Sequence, residues 1–424
     1  MSGGWRTAAF TQERAPWLYA GPVPRLLALL DSDGEEARVV GGAVRNTLLS
    51  LPVSDIDVAT TALPDVVMQR ATAAGLHAVP TGIDHGTITV VVNEKPFEVT
   101  TLRQDVETDG RHALVRFGRD WKVDAGRRDF TINALFVGRD GQVTDFTGGL
   151  EDIEARRVRF IGDPATRIAE DYLRVLRFFR FHAAYGDGLL DVEGLAACVR
   201  ARSQLGQLSR ERVRNELMKL LVAHHAVPTL AVMSETGLLI DVVAGVPWLS
   251  SFSNMLKAEA HLGIDADATR RLGALAVRVR EDADRLRERL RLTNEETRRI
   301  RAMTESWWRM SPDMGPVARR AVLYRIGPDG YRDRAVLAFS RSEDKVDDEG
   351  WNELIALPEN WTAPKFPLTA KHFLEQGVEK GPALGSILAR AEETWINSGF
   401  PEEFEVLYTI RDWVIKEESN AKGE

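Results

Sequence analysis

The sequence predicts an α+β chain, a small mixed-sheet domain followed by an all-helical remainder, and three observations carry that prediction. At 424 residues the chain is long for one domain, and at 44% hydrophobic and 28% charged it has a folded globular composition rather than a collagenous or disordered one. From about Ala37 to Phe146, short apolar runs alternate with turns. Beyond Asp152 strand signals nearly vanish, and apolar residues recur at three- and four-residue spacing, as in YLRVLRFFRFHAAY and RERVRNELMKLLVAH.

Residues 1–24 read as an N-terminal extension without a signal peptide's apolar core, since Glu13 and Arg14 sit where that core would lie. The strand candidates are ARVVGG, SDIDVAT, GTITVVVN, KPFEVTTLR and ALFVG, separated by turns such as Asn93-Glu94-Lys95-Pro96 and Asp140-Gly141. Between the second and third, PDVVMQRATAAG predicts a helix, with Pro64 in its first turn and Gly75 just past its end. These elements make a head over residues 25–150. Linkers are expected near Gly148-Gly149 and around Ala226 to Pro228, so the helical remainder divides into 151–226 and 227–424. No run approaches the ~20 apolar residues that span a bilayer, and no membrane partner is expected. The single cysteine, Cys198, fits a reducing compartment, which points to the cytoplasm, and it leaves oxygen or nitrogen ligands for any metal.

The densest chemistry lies in VVGGAVRNTLLSLPVSDIDVAT, residues 39–60. In a strand, Asp55 and Asp57 point to one face and Ile56 and Val58 to the other. Two adjacent carboxylates repel unless a cation lies between them, and Mg²⁺ is the natural occupant. The plainer alternative is a solvated strand or a Ca²⁺ loop. Upstream, Val39-Val40-Gly41-Gly42 reads as a strand ending in a two-glycine turn that opens the helix AVRNTLLS. Gly41 and Gly42 let backbone N–H groups approach a phosphate, and Arg45 adds positive potential. A simple tight turn explains the glycines equally. Neither GxxxxGK[ST] nor GxGxxG is present, so P-loop and dinucleotide readings lack support.

Four blocks then occur in one order: Gly41-Gly42-Ala43-Val44-Arg45; Ser54-Asp55-Ile56-Asp57-Val58-Ala59-Thr60; Arg127-Arg128-Asp129-Phe130-Thr131-Ile132-Asn133-Ala134; and Gly162-Asp163-Pro164 with Arg167-Ile168-Ala169-Glu170-Asp171-Tyr172-Leu173-Arg174. Together, over about Ala37 to Leu221, they resemble the class II tRNA nucleotidyltransferase and bacterial poly(A) polymerase family. One departure is Asn46, where that family usually has Asp. The resemblance implies a nucleotidyltransferase head (25–150), a base-selecting neck (151–226) and a helical body and tail (227–424) that grips the acceptor and T arms of a tRNA. It further implies that Asp55 and Asp57 hold two Mg²⁺ ions, with Glu98 a candidate third carboxylate or a plain surface strand residue. Arg127 and Arg128 would meet the triphosphate of CTP or ATP, and Asp129 the ribose hydroxyls, with Asn133 in the same block.

Asp171 and Arg174, three apart on an expected helix, would share a face and set an acceptor beside a donor fork. Cytosine and adenine fit that polarity, whereas uracil and guanine present the reverse, so one protein face would select C and A without a template. An ordinary helix ion pair is the alternative. Arg174, Arg177 and Arg180 fall at three-residue spacing within a run from Arg156 to Arg180 of seven arginines against three acids, a stripe suited to triphosphate and an RNA end. The neighbouring Phe178, Phe179 and Phe181 read as core rather than base-stacking platforms, Ser209 as the N-cap of SRERVRNELMKLL, and Arg212 as part of that helix's polar side, a solvated face with shaping of the nucleotide pocket as the alternative. Thus a formal net charge of −8 is compatible with an RNA partner bound through a local groove. Residues Leu102 to Gly126 are polar and long for a connection; the resembling family has here a flexible loop that supports the switch from C to A addition, and enzymes adding only C lack it. The expected activity is CCA addition to the tRNA 3′ end, with poly(A) synthesis, an inactive RNA-binding scaffold and a small-metabolite nucleotidyltransferase as alternatives. Eight scattered histidines without HExxH or His-Asp spacing argue against an appended metal phosphohydrolase.

Overall fold

A computed structural model of the chain describes residues 9–109, 112–342 and 349–421. It divides into two compact units, Met1–Val242 and Val243–Glu424. The first holds β1 (Ala37–Val40), β2 (Asp57–Thr60), β3 (His77–Gly82), β4 (Thr87–Val92), β5 (Lys95–Thr101), β6 (Arg103–Asp109), β7 (His112–Phe117), β8 (Leu135–Val137) and β9 (Val143–Asp145). Seven strands form one sheet in the order β3-β4-β5-β2-β1-β8-β9, while β6 and β7 form a separate ribbon. The helices of this unit that bear on the site are α1 (Pro16–Tyr19), α2 (Pro22–Leu30), α3 (Gly42–Leu48), α4 (Pro64–Ala73), α5 (Trp121–Gly126), α6 (Gly149–Glu154), α7 (Pro164–Glu170), α8 (Leu173–Tyr185), α9 (Val192–Arg200) and α10 (Arg210–Leu221).

Register places the chemistry at one end of the sheet. β1 runs antiparallel to β2 with Val40 opposite Asp57, so the glycine turn emerges beside the acid. β2 runs parallel to β5 with Val58 opposite Val99, which brings Glu98 alongside Asp57. β1 also pairs antiparallel with β8, and Gly41 N–H donates to the Leu135 carbonyl at 3.1 Å, so Arg127–Asn133 arrives at the same end. Gly41 has φ +74°, a conformation that favours glycine, and the chain turns there directly into α3.

Three expectations change. The long connection after Leu102 is a β-ribbon: Arg103 pairs with Phe117 and Asp109 with His112, with a bulge between Asp105 and Glu107. Residues 110 and 111 of that segment lie outside the described residues. The turn of four residues after β4 is a two-residue hairpin, Asn93 and Glu94 both at positive φ (+49° and +65°). Ala226 to Pro228 is no linker but the first turn of a helix, Ala226–Glu235, where a proline is tolerated. The phenylalanines are core: Phe178 and Phe179 are fully buried, and Phe178 stacks on Phe160 with centroids 5.3 Å apart.

Beyond Val243 the second unit is helical among the described residues. Its cores gather around Tyr331, Phe339 and Trp351, and around Phe373, Trp395 and Phe400. Residues 280–304 form two helices separated at Arg291, whose φ of +51° ends the first; Thr293 and Glu296 make a capping box that starts the second. No helix among the described residues is long and apolar enough to cross a membrane.

Candidate active site

A cavity of about 700 Å³ opens at this end of the sheet. It is lined by Gly41, Gly42, Arg45, Asp55, Asp57, Arg127, Arg128, Asp129, Asn133, Asp171, Arg174, Arg177 and Arg180, so every nucleotide-binding residue expected from sequence meets in one place. Glu98 lies outside it, in an adjoining cavity that shares Asp55 and Asp57.

β2 begins at Asp57, and Asp55 belongs to the irregular approach, so the strand pleat does not by itself align the pair as expected. Asp57 is exposed at the strand's start, yet desolvation by the surrounding walls, then Glu98, raises its pKa; Arg128 opposes this and Asp55 adds to it. A carboxylate destabilised by its surroundings and by two other acids suits a cation. Among the described residues no three acid or imidazole side chains are already gathered to enclose a metal. The oxygen donors of Asp55 and Asp57, both lining the cavity, fit a hard ion such as Mg²⁺, which takes one or two carboxylates and completes its shell with water and phosphate oxygens.

Opposite the acids, Arg127, Arg128, Arg174, Arg177 and Arg180 are each steadied from behind by a carboxylate. Asp124, 1% exposed, accepts from Arg127 Nε at 2.8 Å and from Arg128 Nη2 at 3.0 Å. Burial alone would raise Asp124's pKa, but the two guanidinium groups outweigh it and hold the carboxyl below its ordinary value. Glu170 pairs with Arg167 and Arg174, and Glu216 with Arg180. Asp129 accepts from Arg177 Nε at 2.8 Å, Asn133 Nδ2 at 3.1 Å and the Phe130 N–H at 2.8 Å. Its pKa is lowered because Arg177 and these hydrogen bonds overcome burial. The Asp129 carboxylate anchors Arg177 and at the same time lines the cavity. Of the basic run, Arg174, Arg177 and Arg180 line the cavity, whereas Arg157 and Arg159 turn to Asp152.

Arg45 is 6% exposed. Its guanidinium donates to Asn133 Oδ1, to Asn46 Oδ1 (2.9 and 3.1 Å) and to Tyr185 Oη (2.8 Å), and burial lowers its pKa. It thus ties α3 to the RRD block and to α8. Asn46 is bifunctional: its oxygen accepts from Arg45 while its Nδ2 donates to the Pro52 carbonyl at 2.8 Å.

The Asp171–Arg174 face on a continuous helix is not formed. α7 ends at Glu170, and Asp171 is extended (φ −156°, ψ 105°). Its Oδ1 accepts from the Leu173 N–H at 3.1 Å, a local bond that competes with helix continuation. Its Oδ2 is held by Arg212 of α10, while Arg174 turns to Glu170. Arg212 therefore lines the cavity rather than a solvated face, and Ser209 caps its helix by accepting from Arg212 N–H.

Sequence reading missed Asp124, Tyr185, Arg103 and Glu216 as parts of this site, and held Arg212's place in the pocket only as an alternative. Asp124 was findable, three and four residues before Arg127 and Arg128 on one helix turn. The others are brought in by tertiary contacts of large sequence separation, for which sequence offers no signal.

A mixed sheet that sets a glycine turn beside paired acids, across a cavity from carboxylate-steadied arginines, defines a metal-dependent nucleotidyltransferase. The family described as the Poly A polymerase head domain matches residues 37–159, and the probable RNA and SrmB-binding site of polymerase A matches 190–245. Human mitochondrial CCA tRNA nucleotidyltransferase 1 is 33% identical over 91% of this chain and 88% of its own length, and the CCA-adding enzyme of Limosilactobacillus fermentum is 31% identical over 93% and 97%. The crystal structure of Bacillus stearothermophilus CCA-adding enzyme in complex with CTP aligns with a TM-score of 0.74 at 26% identity, covering 93% of this chain and 98% of that one. The chain belongs to the family of CCA-adding enzymes, the CCA tRNA nucleotidyltransferases.

Proposed function

We propose that the chain completes tRNA 3′ ends without a template, transferring CMP, CMP and AMP from CTP and ATP with release of pyrophosphate. The observation that carries this is the convergence of all four sequence blocks on one cavity in a chain that matches CCA-adding relatives over most of both lengths. Two Mg²⁺ ions are proposed at Asp55 and Asp57, with Glu98 adjoining. Bound there, they would supply Lewis-acid activation of the attacking 3′-hydroxyl and charge neutralisation of the leaving pyrophosphate. Arg127, Arg128 and Arg177 fork onto the triphosphate, held by Asp124 and Asp129 so that little reorganisation accompanies binding. Gly41 and Gly42 keep the approach to the phosphates free of side chain.

Asp171 and Arg174 read the base edge, the first positioned by Arg212 and the second by Glu170. The polarity argument for C and A over U and G survives the loss of the shared helical face, because both groups still line the cavity. The proposed division is an N-terminal extension (1–24), head (25–150), neck (151–226), and a body and tail (227–424) that bind the tRNA acceptor and T arms. The buried, unpaired Cys198 supports a cytoplasmic location.

The test is incubation with Mg²⁺, labelled CTP or ATP, and tRNA transcripts ending before CCA, at CC, or in full CCA, followed by product sequencing. Addition that stops after CCA is expected; long A tails on any RNA would establish a poly(A) polymerase, and no transfer an inactive scaffold. Asp171→Ala should relax the choice among the four NTPs more than it weakens triphosphate binding, and unchanged selectivity would refute base reading by this residue.

A further inference from the structure

The acid pair is shared by two cavities, and the second one has no assigned role. It measures about 900 Å³ and shares Val53, Ser54, Asp55 and Asp57 with the arginine-lined cavity. Its other walls are the β4–β5 side, through Thr89, Lys95, Pro96 and Glu98, and the segment Pro16–Val23, through Pro16, Trp17 and Pro22. That segment lies outside the matched head family, which begins at residue 37. It is nonetheless fastened to the head. Trp17 Nε1 donates to Thr47 Oγ1 at 3.1 Å, Arg14 donates to the Leu48 carbonyl at 3.0 Å, and Phe10 N–H to the Gly141 carbonyl at 2.8 Å. Phe10 meets the Trp17 ring edge-on at 6.3 Å. Trp17 is only half-buried, so its ring is fixed yet still available to the cavity.

Charge decides what each cavity suits. The first is lined by Arg45, Arg103, Arg127, Arg128, Arg174, Arg177, Arg180 and Arg212, a match for a triphosphate. The second offers Trp17 and three prolines, with Lys95 as the one cation among its described lining residues against the carboxylates of Asp55, Asp57 and Glu98, which would repel a triphosphate. That suits an unstacked nucleoside with at most one phosphodiester beside it. Displacement at phosphorus needs the attacking and leaving oxygens roughly in line, hence on opposite sides of the group transferred at the acids.

We propose that the second cavity receives the 3′-terminal nucleoside of the RNA, with Trp17 as its stacking platform and Lys95 next to the preceding phosphodiester. This rests on the reading of the chain as a tRNA nucleotidyltransferase. The N-terminal extension is thereby part of the primer site, and the two substrates enter from opposite sides of Asp55 and Asp57. A ring that stacks a base without hydrogen-bonding its edge accepts whatever nucleotide ends the RNA, as successive additions require.

The experiment is steady-state kinetics of Trp17→Ala, Trp17→Phe and Lys95→Gln, varying a tRNA transcript that lacks CCA and CTP separately. It is paired with photo-cross-linking of the wild-type protein to the same transcript ending in 4-thiouridine. Trp17→Ala should raise KM for the RNA about five- to a hundred-fold while KM for CTP stays within about two-fold. Trp17→Phe should recover most of it although it lacks the bond to Thr47, which a merely structural role would not allow. Lys95→Gln should raise the RNA KM and flatten its salt dependence. Cross-links should map to Pro16–Val23 or Lys95–Phe97. An unchanged RNA KM with cross-links mapping elsewhere overturns the proposal, as does a rise in the CTP KM instead. If the wild-type protein transfers nothing, the functional reading falls and this one with it; normal wild-type transfer with unaffected variants sinks this one alone.

Discussion

Two clusters of arginines and carboxylates, one in each compact unit, use the same chemistry to opposite ends. In the second unit Glu259, 2% exposed, accepts from Arg270 Nε at 2.9 Å and Arg271 Nε at 2.7 Å, and Asp333, 1% exposed, accepts from Arg299 at 2.7 and 3.0 Å. Arg299 also reaches Asp267. Those guanidinium groups are consumed by protein on every side the structure describes. In the first unit the backing acids Asp124, Asp129, Glu170 and Glu216 hold Arg127, Arg128, Arg174, Arg177 and Arg180, which still line a cavity. The acids Asp55 and Asp57, which line the same cavity, complete that site. A closed network stabilises the fold, whereas an open one stores electrostatic attraction for a ligand still to come.

The comparison breaks most sharply if the open acids prove structural. Asp55→Ala and Asp57→Ala should each lower kcat about a thousand-fold or more, the scale of losing a metal's charge stabilisation. Neither should lower the unfolding midpoint, because both carboxylates are exposed and each removal relieves repulsion among neighbouring acids. Retained transfer, or a collapsed fold, would remove the metal assignment.

The closed network should respond the other way. Asp333→Ala leaves Arg299 with only the Asp267 carboxylate and Arg270 with only that of Glu259 among the described residues, and should destabilise the protein by about 2–4 kcal/mol in urea unfolding, with CTP binding unchanged. A loss under 1 kcal/mol would mean the network is slack.

Asp124→Asn stands between the two. It keeps the volume but loses the charge that steadies Arg127 and Arg128, so KM for CTP should rise about ten- to a hundred-fold. It also carries a pH signature. Asp124's folded pKa is depressed, so its stabilisation is full above the unfolded value of about 3.9 and disappears as pH falls through the lower folded value. Acid unfolding of the wild type should therefore lose a component that Asp124→Asn lacks from the outset, visible as a shallower stability slope below about pH 4.

What was legible beforehand follows from range. Gly41, Gly42, Asp57, Arg127 and Arg128 could be read because a turn, a strand end and a helix end are local and each limits the residues that serve there. The mixed sheet with a helical remainder was legible for the same reason, through periodicity. The break at Asp171 was not: three-residue spacing to Arg174 suggested one helical face, but the carboxylate bonds the Leu173 N–H and stops the helix. The β6–β7 ribbon was missed because a two-stranded ribbon is held by its backbone ladder and gives little hydrophobic alternation, so RQDVETD read as a loop. Arg212 and Glu216 became site residues only when α10 packed against α8, a contact some forty residues distant in sequence that no local pattern encodes.

The smallest expected effect bears on Asn46, the departure from the family pattern. An aspartate there would keep the acceptor for Arg45 and add charge to it, which favours the buried guanidinium. It would lose the donor to the Pro52 carbonyl, at the start of the segment that carries Ser54 and Asp55 into the site. It would also add a negative charge to a cavity that already holds Asp55, Asp57, Asp129 and Asp171. The amide therefore couples Arg45 to the Pro52–Asp55 approach while staying neutral. Asn46→Asp should change unfolding stability by less than about 1 kcal/mol, since gain and loss are each one hydrogen bond. The Mg²⁺ concentration needed for half-maximal transfer should shift about two- to five-fold, with KM for CTP constant. Asn46→Ala should lose both bonds and slow transfer more than Asn46→Asp does. If the alanine variant matches the wild type in Mg²⁺ dependence and rate, the Arg45–Asn46–Pro52 connection has no part in setting the acids, and the open cluster is held by its backing carboxylates alone.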